Sequence, residues 1–185
     1  SEIGEVIFTD YGVRGPLILS ASSYIDEITS DKYKIIIDLK PGLSFNKLDK
    51  RIQRDFKKYS RKYFGNSLKD LLPVKLIPTI IDLSDIAYDK PVHQITAEER
   101  EQLTRLLKNL SLQVKRFRPI KEAIITSGGI EVDEIDPATM ESKIINRLYF
   151  AGEIIDVDAL TGGYNLQIAF STGYVAGLNA SKSIL

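Results

Sequence analysis

The sequence contains no cysteine, no tryptophan and a single histidine, His93, among its 185 residues. Without cysteine there is no disulfide, no thiolate metal site and no iron–sulfur cluster. One histidine also excludes a metal site built from several imidazoles, so no metal site is predicted. Redox chemistry in this chain would therefore require a bound organic cofactor.

An excess of charge and a long apolar run are also absent. Basic and acidic residues number 25 each, which gives a formal net charge of zero. No stretch approaches the run of about 18 apolar residues that a membrane span needs. The N-terminal residues lack a basic start followed by an apolar stretch, so they do not predict a signal peptide. Because cysteine is absent, we expect a cytoplasmic protein. Because a long apolar run is absent, we expect no membrane partner.

Strand-type patterns lie on both sides of a helical block, which predicts an α+β fold with more than one domain. Residues 44–64 are the clearest helix, followed by residues 68–87, where Pro73 and Pro78 predict short helical pieces. Thr96 and Glu99 have the spacing of a capping box, which predicts a helix to about residue 110. Strands are predicted at residues 5–9, 17–21, 34–38, 112–117, 121–126, 130–135 and 148–151.

The predicted helix 44–64 has one apolar and one basic face. Residues 47–62 carry eight basic and two acidic side chains. A solvated surface is the ordinary explanation of such a face. The alternative is a surface that binds RNA phosphates or a protein.

The C-terminal region combines a short strand, a glycine turn and a helix. Gly152-Glu153 follows the strand 148–151, and Gly162-Gly163 precedes a helix predicted from Tyr164 to about residue 180. Glycine permits a close approach of the backbone to a ligand, and a helix N-terminus stabilises negative charge. Glu153 is suited to accept hydrogen bonds from ligand hydroxyl groups. This order of elements is typical of a nucleotide-cofactor site.

Four segments of the chain resemble, in the right order, motifs of the HI0933-like (BaiN-type) flavoprotein family. The first is Phe8-Thr-Asp-Tyr-Gly-Val-Arg-Gly-Pro16, and the second is Thr126-Ser-Gly-Gly129. The third is Asp136-Pro-Ala-Thr-Met-Glu-Ser-Lys143. The fourth begins Ala151-Gly-Glu and continues through Gly162-Gly-Tyr-Asn-Leu-Gln167. Together they span nearly the whole chain.

The resemblance implies the C-terminal half of an FAD-binding enzyme. A β-barrel-like domain is expected from residues 1–43 and 111–126, with an all-helical insert at 44–110. Residues 127–185 are expected to form the C-terminal part of a Rossmann-like FAD-binding domain. The cofactor-binding residues implied are Ser127, Gly128, Gly129, Gly152, Glu153, Gly162, Gly163, Tyr164, Asn165 and Leu166.

Two departures from the family pattern are present. Arg14 stands where the family often has serine, and no Gly-x-Gly-x-x-Gly motif occurs in the chain. In the family that motif holds the FAD pyrophosphate and lies near the N-terminus. We therefore expect a fragment that begins about halfway along its parent, lacks the N-terminal FAD-binding segment, is inactive alone and retains no stoichiometric FAD.

The activity implied by the resemblance is hydride transfer from NAD(P)H to FAD and then to an activated C=C bond. The acceptor is either a small molecule or a base in RNA, and the catalytic residues stay unidentified. Tyr11 and Tyr164 are candidates to line the flavin, and Asp156 and Asp158 are either turn residues or cofactor contacts. His93 is expected to be a surface residue. The alternative function is RNA or protein binding by the basic face of helix 44–64, with reduction of a ribosomal RNA base as a combination of both.

Overall fold

In a computed structural model, residues 1–25, 28–29 and 32–182 are described. The chain divides into two compact units. Unit 1 contains Ser1–Ile28 and Arg116–Leu185, and unit 2 contains Thr29–Lys115. In chain order the elements are β1 (Ile7–Thr9), β2 (Gly12–Arg14), α1 (Pro16–Ser22), β3 (Lys34–Ile37), α2 (Phe45–Lys58), α3 (Ile77–Leu83), α4 (Ala97–Lys108), β4 (Leu110–Gln113) and α5 (Tyr164–Lys182).

Unit 2 holds the main hydrophobic core. Apolar residues recur every three to four positions along α2 and α4, so each helix turns one stripe inward. Leu48 and Ile52 of α2 and Leu103 and Leu107 of α4 are fully buried. The antiparallel pair β3–β4 lies beside them, in a register that pairs Ile37 with Leu110. The core consists of Leu48, Ile52, Phe64, Leu68, Leu71, Leu72, Ile77, Ile80, Ile81, Ile86, Leu103, Leu107 and Leu110.

Helix α4 begins as predicted. The Thr96 hydroxyl accepts a hydrogen bond from the Glu99 N–H at 3.2 Å, and the Glu99 carboxylate accepts one from the Thr96 N–H at 2.8 Å. These reciprocal bonds satisfy two N–H groups that the helix start leaves without carbonyl partners. The capping box is therefore confirmed.

Helix α2 starts after Ser44 as predicted but ends at Lys58, not at residue 64. Beyond it the chain turns so that Phe64 becomes fully buried. The Phe64 N–H donates to the Lys90 carbonyl at 2.9 Å, and the Gly65 N–H donates to the Tyr88 carbonyl at 3.0 Å. A Cβ at Gly65 would lie 2.1 Å from the Tyr88 ring, so a larger residue there would displace this exposed ring.

Unit 1 opens with the hairpin β1–β2, which pairs Phe8 with Val13. The strand predicted at 17–21 is wrong, because these residues form α1. Pro16 occupies the first turn, where its fixed φ favours a helix and its missing N–H costs nothing. Gly15 precedes it at φ 118°, a conformation that glycine adopts readily. This local signal outweighs the β-type composition of Leu17–Ala21.

The C-terminal part of unit 1 has fewer regular strands than predicted. No strand forms at 121–126, where Pro119 leads into a 3₁₀ turn, Ile120–Glu122. In the predicted strand 130–135 only the ends form single bridges, Ile130 with Ile155 and Ile135 with Ser142, around another 3₁₀ turn. The predicted strand 148–151 forms one bridge, Tyr149 with Glu141. The final helix is confirmed as α5.

The described residues thus form a mixed α/β structure with five α-helices and two separate two-stranded antiparallel sheets. Unit 1 contains residues 127–185 together with residues 1–28 and 116–126. The latter two ranges were expected in the β-barrel-like domain. Within the described ranges, no helix has the length and apolar character needed to cross a membrane.

Candidate functional site

The segment around Gly152 and Glu153 packs against α5. Gly152 has a φ of 72°, and its N–H donates to the Thr172 hydroxyl of α5 at 3.0 Å. A short 3₁₀ turn, Gly152–Ile154, leaves the Glu153 side chain exposed. In the described part of the chain the Glu153 carboxylate has no hydrogen-bonding or ionic partner. It is therefore available to a ligand.

The N-terminus of α5 follows two glycines with positive φ, 135° at Gly162 and 88° at Gly163. The first N–H of α5 with a helical partner is that of Gln167, which donates to the Gly163 carbonyl at 3.0 Å. The N–H groups of Tyr164, Asn165 and Leu166 have no acceptor among the described residues. They carry the partial positive charge of the helix dipole, which suits an anion or an electron-rich carbonyl oxygen.

The turn Ser127–Gly129 lies directly against the residues that follow Glu153. The Gly128 N–H donates to the Asp156 carboxylate at 3.0 Å. The Ile130 N–H donates to the Ile154 carbonyl at 2.8 Å, and the Asp156 N–H donates to the Ile130 carbonyl at 2.9 Å. A Cβ at Gly129 would lie 2.4 Å from the Ile154 carbonyl oxygen. The structure therefore brings together the glycine turn and the Glu153 segment.

The loop before α5 is held by side chains at both ends. The Asn165 amide makes both its hydrogen bonds to the backbone of Ala159, each 2.8 Å long. The Ser20 and Thr161 hydroxyls are 3.1 Å apart, which joins α1 to the same loop. The Asn165 side chain thus holds the loop, while the Asn165 backbone N–H has no acceptor among the described residues.

All ten sequence-predicted site residues lie in unit 1. The contacts above join Ser127–Gly129 to the Glu153 segment, and that segment to α5. The sequence left the role of Asp156 open and missed Thr172. Asp156 has the signal of an acidic turn residue, but no local pattern indicates that Thr172 contacts Gly152, 20 positions earlier.

The side chains of Tyr11, Tyr164 and His93 take no part in the hydrogen bonds above. The Tyr11 ring is covered by the Arg118 guanidinium, 4.0 Å from its centroid, and Tyr164 is exposed. His93 is exposed in unit 2, where its Nδ1 is 3.2 Å from the Ser60 carbonyl oxygen. No cluster of three or more metal-ligating side chains exists within the described ranges.

In α/β proteins, a glycine turn that leads into an open helix N-terminus is an arrangement that favours the binding of anions. Residues 1–125 match the family model described as HI0933-like protein barrel and H2TH domain. Because this match covers more than half of the chain, the chain belongs to the HI0933-like family.

Three curated relatives align along nearly the whole chain. The 3-dehydro-bile acid delta(4,6)-reductase of Clostridium scindens is 30% identical over 183 residues, which cover 98% of this chain and 45% of the relative. The ribosomal RNA dihydrouridine synthase of Haemophilus influenzae is 29% identical, and the alignment covers 96% of this chain and 42% of the relative. The ribosomal RNA dihydrouridine synthase of Escherichia coli is also 29% identical, and the alignment covers 96% of this chain and 43% of the relative. The chain therefore spans less than half the length of these relatives.

Proposed function

We propose that the full-length protein is a cytoplasmic FAD-dependent oxidoreductase that takes electrons from NAD(P)H and reduces an activated C=C bond. The observations that carry this proposal are the open N-terminus of α5 and the exposed Glu153, which has no partner among the described residues and whose segment packs against α5, in a chain of the HI0933-like family. The Clostridium scindens relative is named a delta(4,6)-reductase, which supports the reaction class.

The residues at this site fit a flavin. A Cβ at Gly163 or Gly128 would meet nothing within 4 Å, so the backbone is open to a close ligand at both positions. The free N–H groups of α5 suit the electron-rich N1–C2=O edge of the ring, and the Glu153 carboxylate suits ribityl hydroxyl groups. When bound, FAD would accept a hydride from the nicotinamide and donate one to the C=C bond.

The chain's own residues orient this site. The dipole of α5 would stabilise negative charge on the edge of a flavin held at this helix start. Asp156 holds the Ser127–Gly129 turn, and Asn165 holds the loop before α5. We further propose that residues 127–185 complete a Rossmann-like FAD-binding domain beside a β-barrel-like domain. Contacts to the FAD pyrophosphate would then come from a segment outside these 185 residues.

The proposal is tested first by the visible absorption spectrum of the full-length protein, recorded before and after anaerobic addition of NADH or NADPH. We expect flavin bands that bleach with one or both reductants. A colourless protein that cannot be reconstituted with FAD would contradict the proposal.

A pair of variants tests the site itself. Glu153→Gln should weaken FAD binding about tenfold, because a hydrogen bond to a charged group contributes about 1.5–3 kcal/mol. Glu131→Gln is the matched control, since Glu131 is also exposed in unit 1 and has no side-chain partner in the described part. Equal FAD affinities in the two variants would show that Glu153 does not contribute to FAD binding.

A second candidate is that the acceptor is a uridine in ribosomal RNA. The C5=C6 bond of uracil is conjugated to a carbonyl group, so it belongs to the same class of activated C=C bonds. Two relatives are named ribosomal RNA dihydrouridine synthases. Nucleoside mass spectrometry of ribosomal RNA from cells with and without the gene tests this candidate. An unchanged dihydrouridine content would exclude it.

A further inference from the structure

The zero net charge of the chain conceals a strong separation between the two units. Unit 2, residues 29–115, contains 18 basic and 11 acidic residues, a formal net charge of +7. The rest of the chain contains 7 basic and 14 acidic residues, a net charge of −7. Unit 2 is thus a strongly basic body within a neutral protein.

The basic residues of unit 2 concentrate on α2. Its 14 residues include six cations and two carboxylates. Both carboxylates are engaged: Asp49 accepts from Arg100 at 2.7 Å, and Asp55 accepts from Arg51 at 2.8 Å. Among the described residues, Lys47, Lys50 and Lys57 have no ionic partner, and Arg54 reaches only Asp55, at 3.7 Å.

The position of these cations is unfavourable for the helix itself. Lys47 lies in the first turn of α2, which has no acidic residue. A cation near a helix N-terminus opposes the helix dipole. The pairs Lys47–Arg51 and Lys50–Arg54 are like-charged at a spacing of four residues, and each such pair costs a few tenths of a kcal/mol. Solubility alone does not require this arrangement, whereas a bound anion would relieve both costs.

Four of the cations surround one surface depression. Its lining consists of Leu43, Lys47, Lys50, Arg51 and Arg54, with no carboxylate among them. Burial, together with the positive charge of Arg51, lowers the pKa of nearby Lys40. The opposite face of α2 is fixed in the core through Leu48 and Ile52, so the basic face is the one presented outward.

We propose that this basic face of α2, centred on Lys47, Lys50 and Arg54, binds the phosphate groups of RNA. The proposal rests on the second candidate function above and gives it a surface that binds the RNA. The cations recur every three or four residues, about 5 Å along the helix axis, which suits a ligand with closely repeated negative charges. A protein partner is a poorer fit, because the cores of protein interfaces are depleted in lysine and enriched in aromatic side chains.

The test is a fluorescence anisotropy titration of the full-length protein with a short labelled RNA hairpin, at KCl concentrations from about 50 to about 200 mM. The variant Lys47→Gln/Lys50→Gln/Arg54→Gln removes three exposed cations. The control Lys34→Gln/Lys75→Gln/Lys115→Gln removes three exposed lysines elsewhere in unit 2, with the same change in charge.

We expect the α2 variant to bind RNA at least about tenfold more weakly at low salt, and its plot of log K against log salt to be less steep by about two to three. The control should retain the affinity and the slope of the unmodified protein. Equal loss in both triple variants would show a diffuse charge effect and overturn the proposal. No RNA binding at low salt would overturn it too, as would binding to anionic lipid vesicles but not to RNA.

The same preparations separate this inference from the flavin proposal. The α2 variant should keep the flavin spectrum and its reduction by NAD(P)H, since the substituted residues lie in unit 2 and the candidate flavin site lies in unit 1. Loss of RNA binding with intact flavin reduction supports the inference. A protein whose flavin is reduced by NAD(P)H but which does not bind RNA would support the reductase proposal and contradict the RNA-binding surface.

Discussion

The Asn165 side chain and the Ala159 backbone form a two-point clamp. The Asn165 Nδ2 donates to the Ala159 carbonyl, and the Asn165 Oδ1 accepts from the Ala159 N–H, both at 2.8 Å. Asparagine is one of the few side chains that both donate and accept in this geometry. The clamp closes the glycine-containing loop 160–163 onto the first turn of α5.

Removal of one half of this clamp should loosen the loop without unfolding the chain. In Asn165→Asp a carboxylate would face the Ala159 carbonyl, so one hydrogen bond is replaced by repulsion. We expect faster amide hydrogen exchange at Ala159 and in loop 160–163, and weaker FAD retention in the full-length protein. Gln167→Ala is the control, because among the described residues the Gln167 side chain bonds only to the exposed Ser171 hydroxyl. Equal exchange in both variants would contradict the role of the clamp.

The Ser127–Gly129 turn should tolerate no side chain at Gly129. An added Cβ would lie 2.4 Å from the Ile154 carbonyl oxygen, and φ is 154°. We expect Gly129→Ala to destabilise unit 1 by about 1–3 kcal/mol and to weaken FAD retention. Gly173→Ala is the control: Gly173 lies in α5 with open space around it, so alanine should stabilise the helix by about 1 kcal/mol. Thermal unfolding of both variants measures this contrast.

The sequence predicted the helices better than the strands for a physical reason. The start of α4 depends on two residues three apart, Thr96 and Glu99, and α2 on a stripe within one segment. A strand depends on a partner elsewhere in the chain. Residues 130–135 have strand-type composition, yet only their ends bridge, to Ile155 and Ser142, so the pattern could not predict how little pairing would form.

The candidate site shows the same limit. Gly152, Gly162 and Gly163 were predictable because positive φ values favour glycine, and all three have them. The residues that hold the site act over distance: Asp156 bonds to Gly128, and Thr172 bonds to Gly152. No short motif encodes such pairs, so only the folded chain reveals them.

The core of unit 2 should carry most of the measurable stability of this chain. Leu103 in α4 is fully buried, whereas Leu83 at the end of α3 is 51% exposed. Leu103→Ala should lower the free energy of unfolding by about 2–5 kcal/mol, because it removes apolar contacts and leaves a cavity. Leu83→Ala should cost less than about 1 kcal/mol. Urea denaturation followed by circular dichroism measures both, and similar losses would contradict the assignment of the core.

The capping box of α4 should make stability depend on pH through Glu99. The hydrogen bond from Lys90, followed by that from the Thr96 N–H, lowers the pKa of Glu99 below its usual value. A lowered folded-state pKa means that the carboxylate stabilises the fold above the unfolded pKa, about 4.3. This contribution is lost as the pH falls through the folded pKa.

Glu99→Gln should therefore lower the free energy of unfolding by about 1 kcal/mol at pH 7, and the difference from the unmodified chain should shrink below about pH 4. Glu98→Gln is the control, because Glu98 is exposed in the same first turn and has no side-chain partner among the described residues. It should lose only the few tenths of a kcal/mol that a first-turn acid gains from the helix dipole. Urea denaturation of both variants across this pH range measures the effect. A Glu99→Gln difference that stays constant down to pH 3 would show that the carboxylate charge is not its source.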